Sequence, residues 1–222
     1  MTRYVFIPGA GGAAWYWSYV AKLLNADGHQ AIPVELSGED ARLGLSEYVD
    51  LTCIAAGEES NTVLVAQSLG GFTAAMAVQR IRARALVLVN AMIPKPMEVV
   101  GDWWQATQAT VARNAAAKLH GYSAEFDLQT YFLHDVAPEV IWAGEQYQRT
   151  QSETVFTSIC AFEQWPALPI HVVAGAEDRF FPLEFQQRIA RERLGVEPDV
   201  LPGGHLIALS QPNLLADYLG RI

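Results

Sequence analysis

Val-Leu-Val-Ala-Gln-Ser-Leu-Gly-Gly (63–71) is the stretch on which the fold turns. Its first four residues are apolar on consecutive positions, as in a strand covered on both faces. The stretch from Phe72 to Arg80 that follows reads as a helix. A strand that turns sharply into a helix lifts one side chain above the sheet edge. Small residues at Ala66 and Gly70 let the backbone pass close on either side. This is the G-x-S-x-G elbow with its first glycine replaced by alanine, and Ser68 is its candidate nucleophile. A helix N-terminus with a serine near its cap would look the same over five residues. The decision therefore rests on what the rest of the chain places beside Ser68.

The 222 residues are 51% hydrophobic and 18% charged, which fits one α/β domain with a full core. A formal net charge of −9 argues against a nucleic-acid partner, whose phosphates need Lys and Arg. No apolar run reaches the roughly 18 residues of a membrane span. Near the N-terminus, Pro8 and the glycines after it interrupt the apolar run, which reads as a strand and its loop rather than a signal peptide. Cys53 and Cys160 have no framework spacing and read as reduced, buried thiols of a cytoplasmic protein. No cluster of His, Cys and carboxylates has ligand spacing, so neither a metal nor an organic cofactor is expected. The expected partner is a small-molecule substrate, and a homodimer is left open.

Short apolar runs alternate with longer helical ones. Strands are expected at Tyr4–Ile7, Ala31–Glu35, Thr62–Ala66, Ala85–Asn90, Ile170–Ala174 and Glu197–Leu201. Leu45, Tyr48, Val49, Thr52, Cys53 and Ala56 recur at helical spacing; Pro182 and Pro212 each open a helix. Such alternation predicts a mainly parallel sheet of about six strands with helices on both faces. The interval 94–165 breaks the pattern. It holds no convincing strand and reads as helices near 102–119, 125–133, 138–149 and 152–162. At this length it exceeds a single crossover and reads as a helical cap inserted into a core of residues 1–93 and 166–222.

In an open parallel sheet, reactive groups gather at the carboxyl ends of the strands. After the first strand comes Ile-Pro-Gly-Ala-Gly-Gly-Ala-Ala-Trp-Tyr-Trp (7–17). Its glycines can expose backbone amides to an anion, as an oxyanion hole or as a phosphate loop. Gly9, Gly11 and Gly12 make part of G-x-G-x-x-G, with Ala14 in the last place and Glu35 at the next strand end, so a dinucleotide site competes when this loop is viewed alone. Ser68 follows the third strand, with the Leu69 amide beside it. Glu177 and Asp178 follow the fifth, just before Pro182; Asp178 is the preferred acid and Glu177 the second choice. His205 follows two glycines after the sixth. His29, His120, His134 and His171 lack such placement and keep a structural reading. Ser68, Asp178 and His205 thus occur in the order Ser…Asp…His, which a dinucleotide-binding enzyme does not need.

With these residues in place, the chain resembles the plant methylesterase and hydroxynitrile lyase branch of the α/β-hydrolases. Pro-Gly-Ala-Gly-Gly-Ala-Ala-Trp-Tyr-Trp is similar to that branch's first-loop segment. Gln-Ser-Leu-Gly-Gly (67–71) resembles its His-Ser-x-Gly-Gly. Glu-Asp-Arg-Phe-Phe-Pro-Leu-Glu-Phe-Gln (177–186) resembles its acid loop. Gly-Gly-His-Leu-Ile-Ala-Leu-Ser-Gln-Pro (203–212) resembles its Gly-x-Asp-His-Met segment. The resemblance spans the sheet almost end to end, and the cap only in position and length.

The resemblance implies an α/β-hydrolase fold, with Ser68 as nucleophile, His205 as base, Asp178 as its orienter, and Ala10 and Leu69 as oxyanion amides. Gly9, Gln67, Trp103, Trp104, Phe132, Trp142, Phe156 and Leu206 are candidate pocket residues, while Trp15 and Trp17 are expected to brace the first helix. Pro8 and Gln67 replace two histidines of the branch, and Gly204 replaces an aspartate. The lyases carry a threonine and a lysine where this chain has Gly9 and Leu206, which disfavours cyanide release. The expected activity is hydrolysis of a small, largely apolar carboxylic ester. A receptor-like ligand binder, and a cofactor-free oxygenase or C–C hydrolase, are the rival readings.

Overall fold

The computed structural model describes residues 1–222. Six parallel strands form one sheet in the order β2-β1-β3-β4-β5-β6. They are β1 (Arg3–Ile7), β2 (Gln30–Pro33), β3 (Thr62–Gln67), β4 (Ala83–Val89), β5 (Ile170–Gly175) and β6 (Asp199–Leu201). Helices α1 (Ser18–Ala26), α2 (Leu45–Ala56) and α3 (Gly70–Ala77) follow the first three strands. Helix α9 (Leu183–Leu194) joins β5 to β6, and α10 (Ile207–Ser210) and α11 (Pro212–Leu219) close the chain. No helix is long and apolar enough to cross a membrane.

The continuous apolar strands divide their side chains between two cores, as a period of two requires. Val5, Ile7, Leu64, Ala66, Leu86 and Leu88 enter one core together with α2, α3 and α9 residues. Tyr4, Phe6, Val63, Val65, Val87 and Val89 enter the other, against α1, α10 and α11. The expected six-stranded sheet is the observed one, with different strand limits: β4 runs Ala83–Val89 rather than Ala85–Asn90. β6 starts at Asp199 rather than Glu197, because Pro198 has no N–H for the ladder. β2 ends at Pro33, two residues short of Glu35.

Residues 94–165 contain five helices: α4 (Trp103–Thr107), α5 (Ala109–His120), α6 (Leu128–Tyr131), α7 (Pro138–Gly144) and α8 (Glu153–Phe156). Each is shorter than the periodicity suggests. The expected helix 102–119 breaks at Gln108, whose φ of 58° is left-handed. The expected 125–133 shrinks to one turn, started where the Asp127 side chain accepts from the Thr130 amide at 2.7 Å. The expected 152–162 stops at Phe156, and Ile159 instead bridges Val99 in antiparallel fashion. Both ends of this stretch join the larger core through Val100, Trp103, Val155 and Cys160.

Candidate active site

β3 runs straight into α3, and Ser68 at the junction has a φ of 49°. For a residue with a Cβ this left-handed conformation is strained, and such strain gathers at functional sites. It is the geometry that turns a side chain out of the strand-to-helix elbow. The two glycines after Ser68 make the elbow possible. A Cβ on Gly71 would collide with the Met92 carbonyl, and one on Gly70 would lie 2.6 Å from the Pro8 carbonyl. α3 starts at Gly70, two residues earlier than expected, and packs against β3 and β1.

Ser68 Oγ lies 3.1 Å from His205 Nε2, and His205 Nδ1 lies 2.8 Å from Asp178 Oδ2. The His205 and Asp178 side chains are 1% and 0% exposed. Asp178 is held as well: its Oδ1 accepts from the Phe180 and Phe181 amides at 2.8 and 2.9 Å, and Gln186 donates to its Oδ2 at 3.3 Å. Glu177 faces elsewhere, its carboxylate accepting from the Gly203 amide. Glu98, the next acid beyond β4, is committed to Arg193 in a buried ion pair. The carboxylate beside His205 is therefore Asp178 and neither of these.

Asn90 belongs to this site and was missed by the sequence reading. Fully buried at the end of β4, it donates from Nδ2 to the Gly204 and His205 carbonyls at 2.9 and 3.2 Å. Its Oδ1 accepts from Gly175 at 2.7 Å, so it ties β4, β5 and the histidine loop together. The signal was present: one amide at the end of the apolar run Ala-Leu-Val-Leu-Val. Gln67 adds a 3.3 Å bond from Nε2 to the His205 carbonyl.

Ser68 and His205 open into a cavity of about 700 Å³. Gly9, Ala10, Gln67, Leu69, Trp104, Phe132, Phe156 and Leu206 line it, as expected. Two expected residues do not. Trp103 is fully buried behind the wall, its Nε1 donating to the Ile93 carbonyl at 3.0 Å while its ring packs on Phe181 and Phe185. Trp142 is 76% exposed, because on α7 it is Val140 and Ile141 that face inward. Trp15 corrects the opposite way. It lines the cavity and stacks on Tyr147 at 5.4 Å, whereas Trp17 braces the core against Phe6 as expected.

The cavity wall is mostly hydrophobic, and three phenyl rings surround the imidazole. Phe132 lies flat on it at 4.8 Å, and Phe180 and Phe181 meet it edge-on. Its one arginine, Arg149, is paired with Glu35 and Glu39. Glu35 also accepts from the Ala14 amide at 2.9 Å, so it is engaged in closing the first loop and is not free for a ribose. Lys95 is not part of the wall, and Arg113 sits behind it, over the rings of Phe126, Tyr131 and Phe180. No group of three or more His, Cys, Asp and Glu could hold a metal ion. Both cysteines are free; Cys160 is buried as expected, but Cys53 is only half-buried.

His134 lies under the histidine loop. Burial pushes its imidazole below the ordinary value of 6.5, and Asp135 opposes that only in part. The folded state then binds this proton less readily than the unfolded chain does. The stability contribution is full above about 6.5 and declines as pH falls below it. The midpoint of thermal unfolding should therefore drop between about pH 7 and 5 more steeply in the wild type than in His134→Gln. Equal slopes, followed by circular dichroism, would contradict this placement.

The Alpha/beta hydrolase family profile matches residues 4–218. Methyl jasmonate esterase 1 of Vitis vinifera is 26% identical, across 99% of this chain and 96% of its own length. Among solved structures, an extracellular alpha/beta-hydrolase from a Paenibacillus species superposes with a TM-score of 0.79 at 16% identity, covering 100% of this chain and 98% of that one. A pyrethroid hydrolase from Sphingobium faniae JZ-2 gives 0.77 at 20%, covering 99% and 96%. The two structural likenesses speak for the fold alone; the profile match over nearly the whole chain speaks for ancestry. With the elbow serine, the six-stranded parallel sheet and a match from β1 into α11, the chain belongs to the alpha/beta hydrolase family.

Proposed function

We propose that the chain hydrolyses a neutral, largely apolar carboxylic ester through Ser68, His205 and Asp178. The observation that carries this reading is the unbroken line from Ser68 Oγ through His205 to Asp178 at the wall of an apolar cavity. Ester-cleaving names among the relatives support it. His205 Nε2 takes the Ser68 proton as Oγ attacks the ester carbonyl, and Asp178 stabilises the imidazolium. The Ala10 and Leu69 amides make no bond within the protein and line the cavity, as donors to an oxyanion must. His205 then protonates the leaving alcohol. It next activates a water that releases the acid and regenerates Ser68.

The wall selects for neutral substrates. Arg149 is already paired, so a substrate carboxylate would enter with its charge uncompensated. Departing cyanide would meet the same cost. A panel of p-nitrophenyl esters, run beside mandelonitrile and a cyanide colour test, checks the assignment. Expected are measurable hydrolysis of short acyl esters, lost in Ser68→Ala, and no cyanide. Ser68-dependent cyanide release, or binding without turnover, would replace hydrolysis with the lyase or the receptor-like reading.

A further inference from the structure

We propose that the inserted segment Phe132–Asp135 positions the His205 imidazole, with Asp135 as the positioning residue. The proposal rests on the reading of His205 as base and goes beyond it. The backbone of Gly203–His205 is tied down by Glu177, Asn90 and Gln67, all from the sheet side of the molecule. One further bond comes from the insertion: Asp135 Oδ2 accepts from the Gly204 amide at 2.6 Å. Three residues earlier, Phe132 lies flat against the imidazole, its ring 4.8 Å away and tilted by 18°. The same short segment therefore holds both the ring face of His205 and the backbone just before it.

Gly204 is shaped for this contact. A Cβ there would stand 2.7 Å from Asp135 Oδ1 and 2.8 Å from His134 Nε2, so the space beside the loop is filled from the insertion. Asp135 makes no other hydrogen bond. Its Oδ1 is buried without a partner, as is His134 Nε2, 4.0 Å away. A carboxylate so poorly satisfied weakens the fold. Its one bond goes to the residue before the imidazole, where it fixes the loop. A shift of about 1 Å in a catalytic group can cost about 10²-fold in rate.

The experiment compares Asp135→Asn with Asp135→Leu, which share a side chain branched at Cγ and differ in keeping an acceptor for the Gly204 amide. Asp135→Ala is the smaller control. On p-nitrophenyl butyrate, Leu and Ala should lose about 10–100-fold in kcat with KM within about threefold, and Asn should recover most of that loss. A loss confined to KM would contradict the proposal, as would equal loss in Asn and Leu or a kcat within twofold of wild type for Leu. If Leu and Ala fail to fold while Asn folds with full activity, Asp135 serves folding and the proposal also falls. His205→Ala is run in parallel. Full activity there would remove the base assignment itself, whereas its loss leaves the Asp135 comparison to stand or fall alone.

Discussion

Ser68→Ala is expected to lower kcat on a short p-nitrophenyl ester by about 10⁴-fold or more, with the fold unchanged. The serine hydroxyl is hydrogen-bonded to His205 Nε2 at the wall of the cavity. Its removal leaves nothing for the imidazole to deprotonate except water, and catalysis without a nucleophile is weak. The substitution deletes one atom at a site 8% exposed, so it opens little space. The φ of 49° is no harder for alanine than for serine. Far-ultraviolet circular dichroism and the thermal midpoint should match the wild type. A folded Ser68→Ala enzyme with hydrolysis within tenfold of wild type would contradict the role.

The second large effect falls on the acid. Asp178→Asn should cost about 10³–10⁴-fold in kcat. The carboxylate accepts from His205 Nδ1, which keeps the lone pair on Nε2 directed at Ser68. An amide in that position can present its NH₂ to Nδ1 and favour the wrong tautomer. Glu177→Gln should cost less than about tenfold, because a glutamine oxygen can still accept from the Gly203 amide. Steady-state rates of the two variants on one ester decide the matter. Equal losses, or a larger loss in Glu177→Gln, would move the acid by one residue.

The sheet was legible because its signals are local. Parallel strands covered on both faces are apolar at nearly every position, and the runs at 63–66 and 85–89 carry that pattern. The positions of Ser68, Asp178 and His205 were legible for a related reason. Each follows a strand, and each is flanked by residues that only a sharp turn needs: Gly70 and Gly71, Pro182, Gly203 and Gly204. Strand ends were less legible, since they depend on which neighbour offers a ladder. β6 has a partner on one side only.

Residues 94–165 were legible as helical and poorly legible in detail. Their helices are one to three turns long, and tertiary contacts set where they stop. Nothing local marks Gln108 as left-handed. The pocket wall shows the same limit. Trp103, Trp104 and Trp142 are equally apolar in sequence, yet one is core, one is wall and one faces solvent. Phe180 and Phe181, which flank the imidazole, lie within the acid loop and were read only as part of its motif. Asp135 was illegible because its partner is a backbone group 69 residues away. A hydrogen bond of that span leaves no pattern in the chain around it.

If ester cleavage passes through a covalent enzyme, Ser68 Oγ is the atom that reacts. Incubation with a fluorophosphonate, digestion and mass spectrometry of the peptides should place one adduct on Ser68, stoichiometric with lost esterase activity. Ser68→Ala should give no adduct. An adduct on another serine, or full ester hydrolysis with no adduct at Ser68, would contradict that assignment.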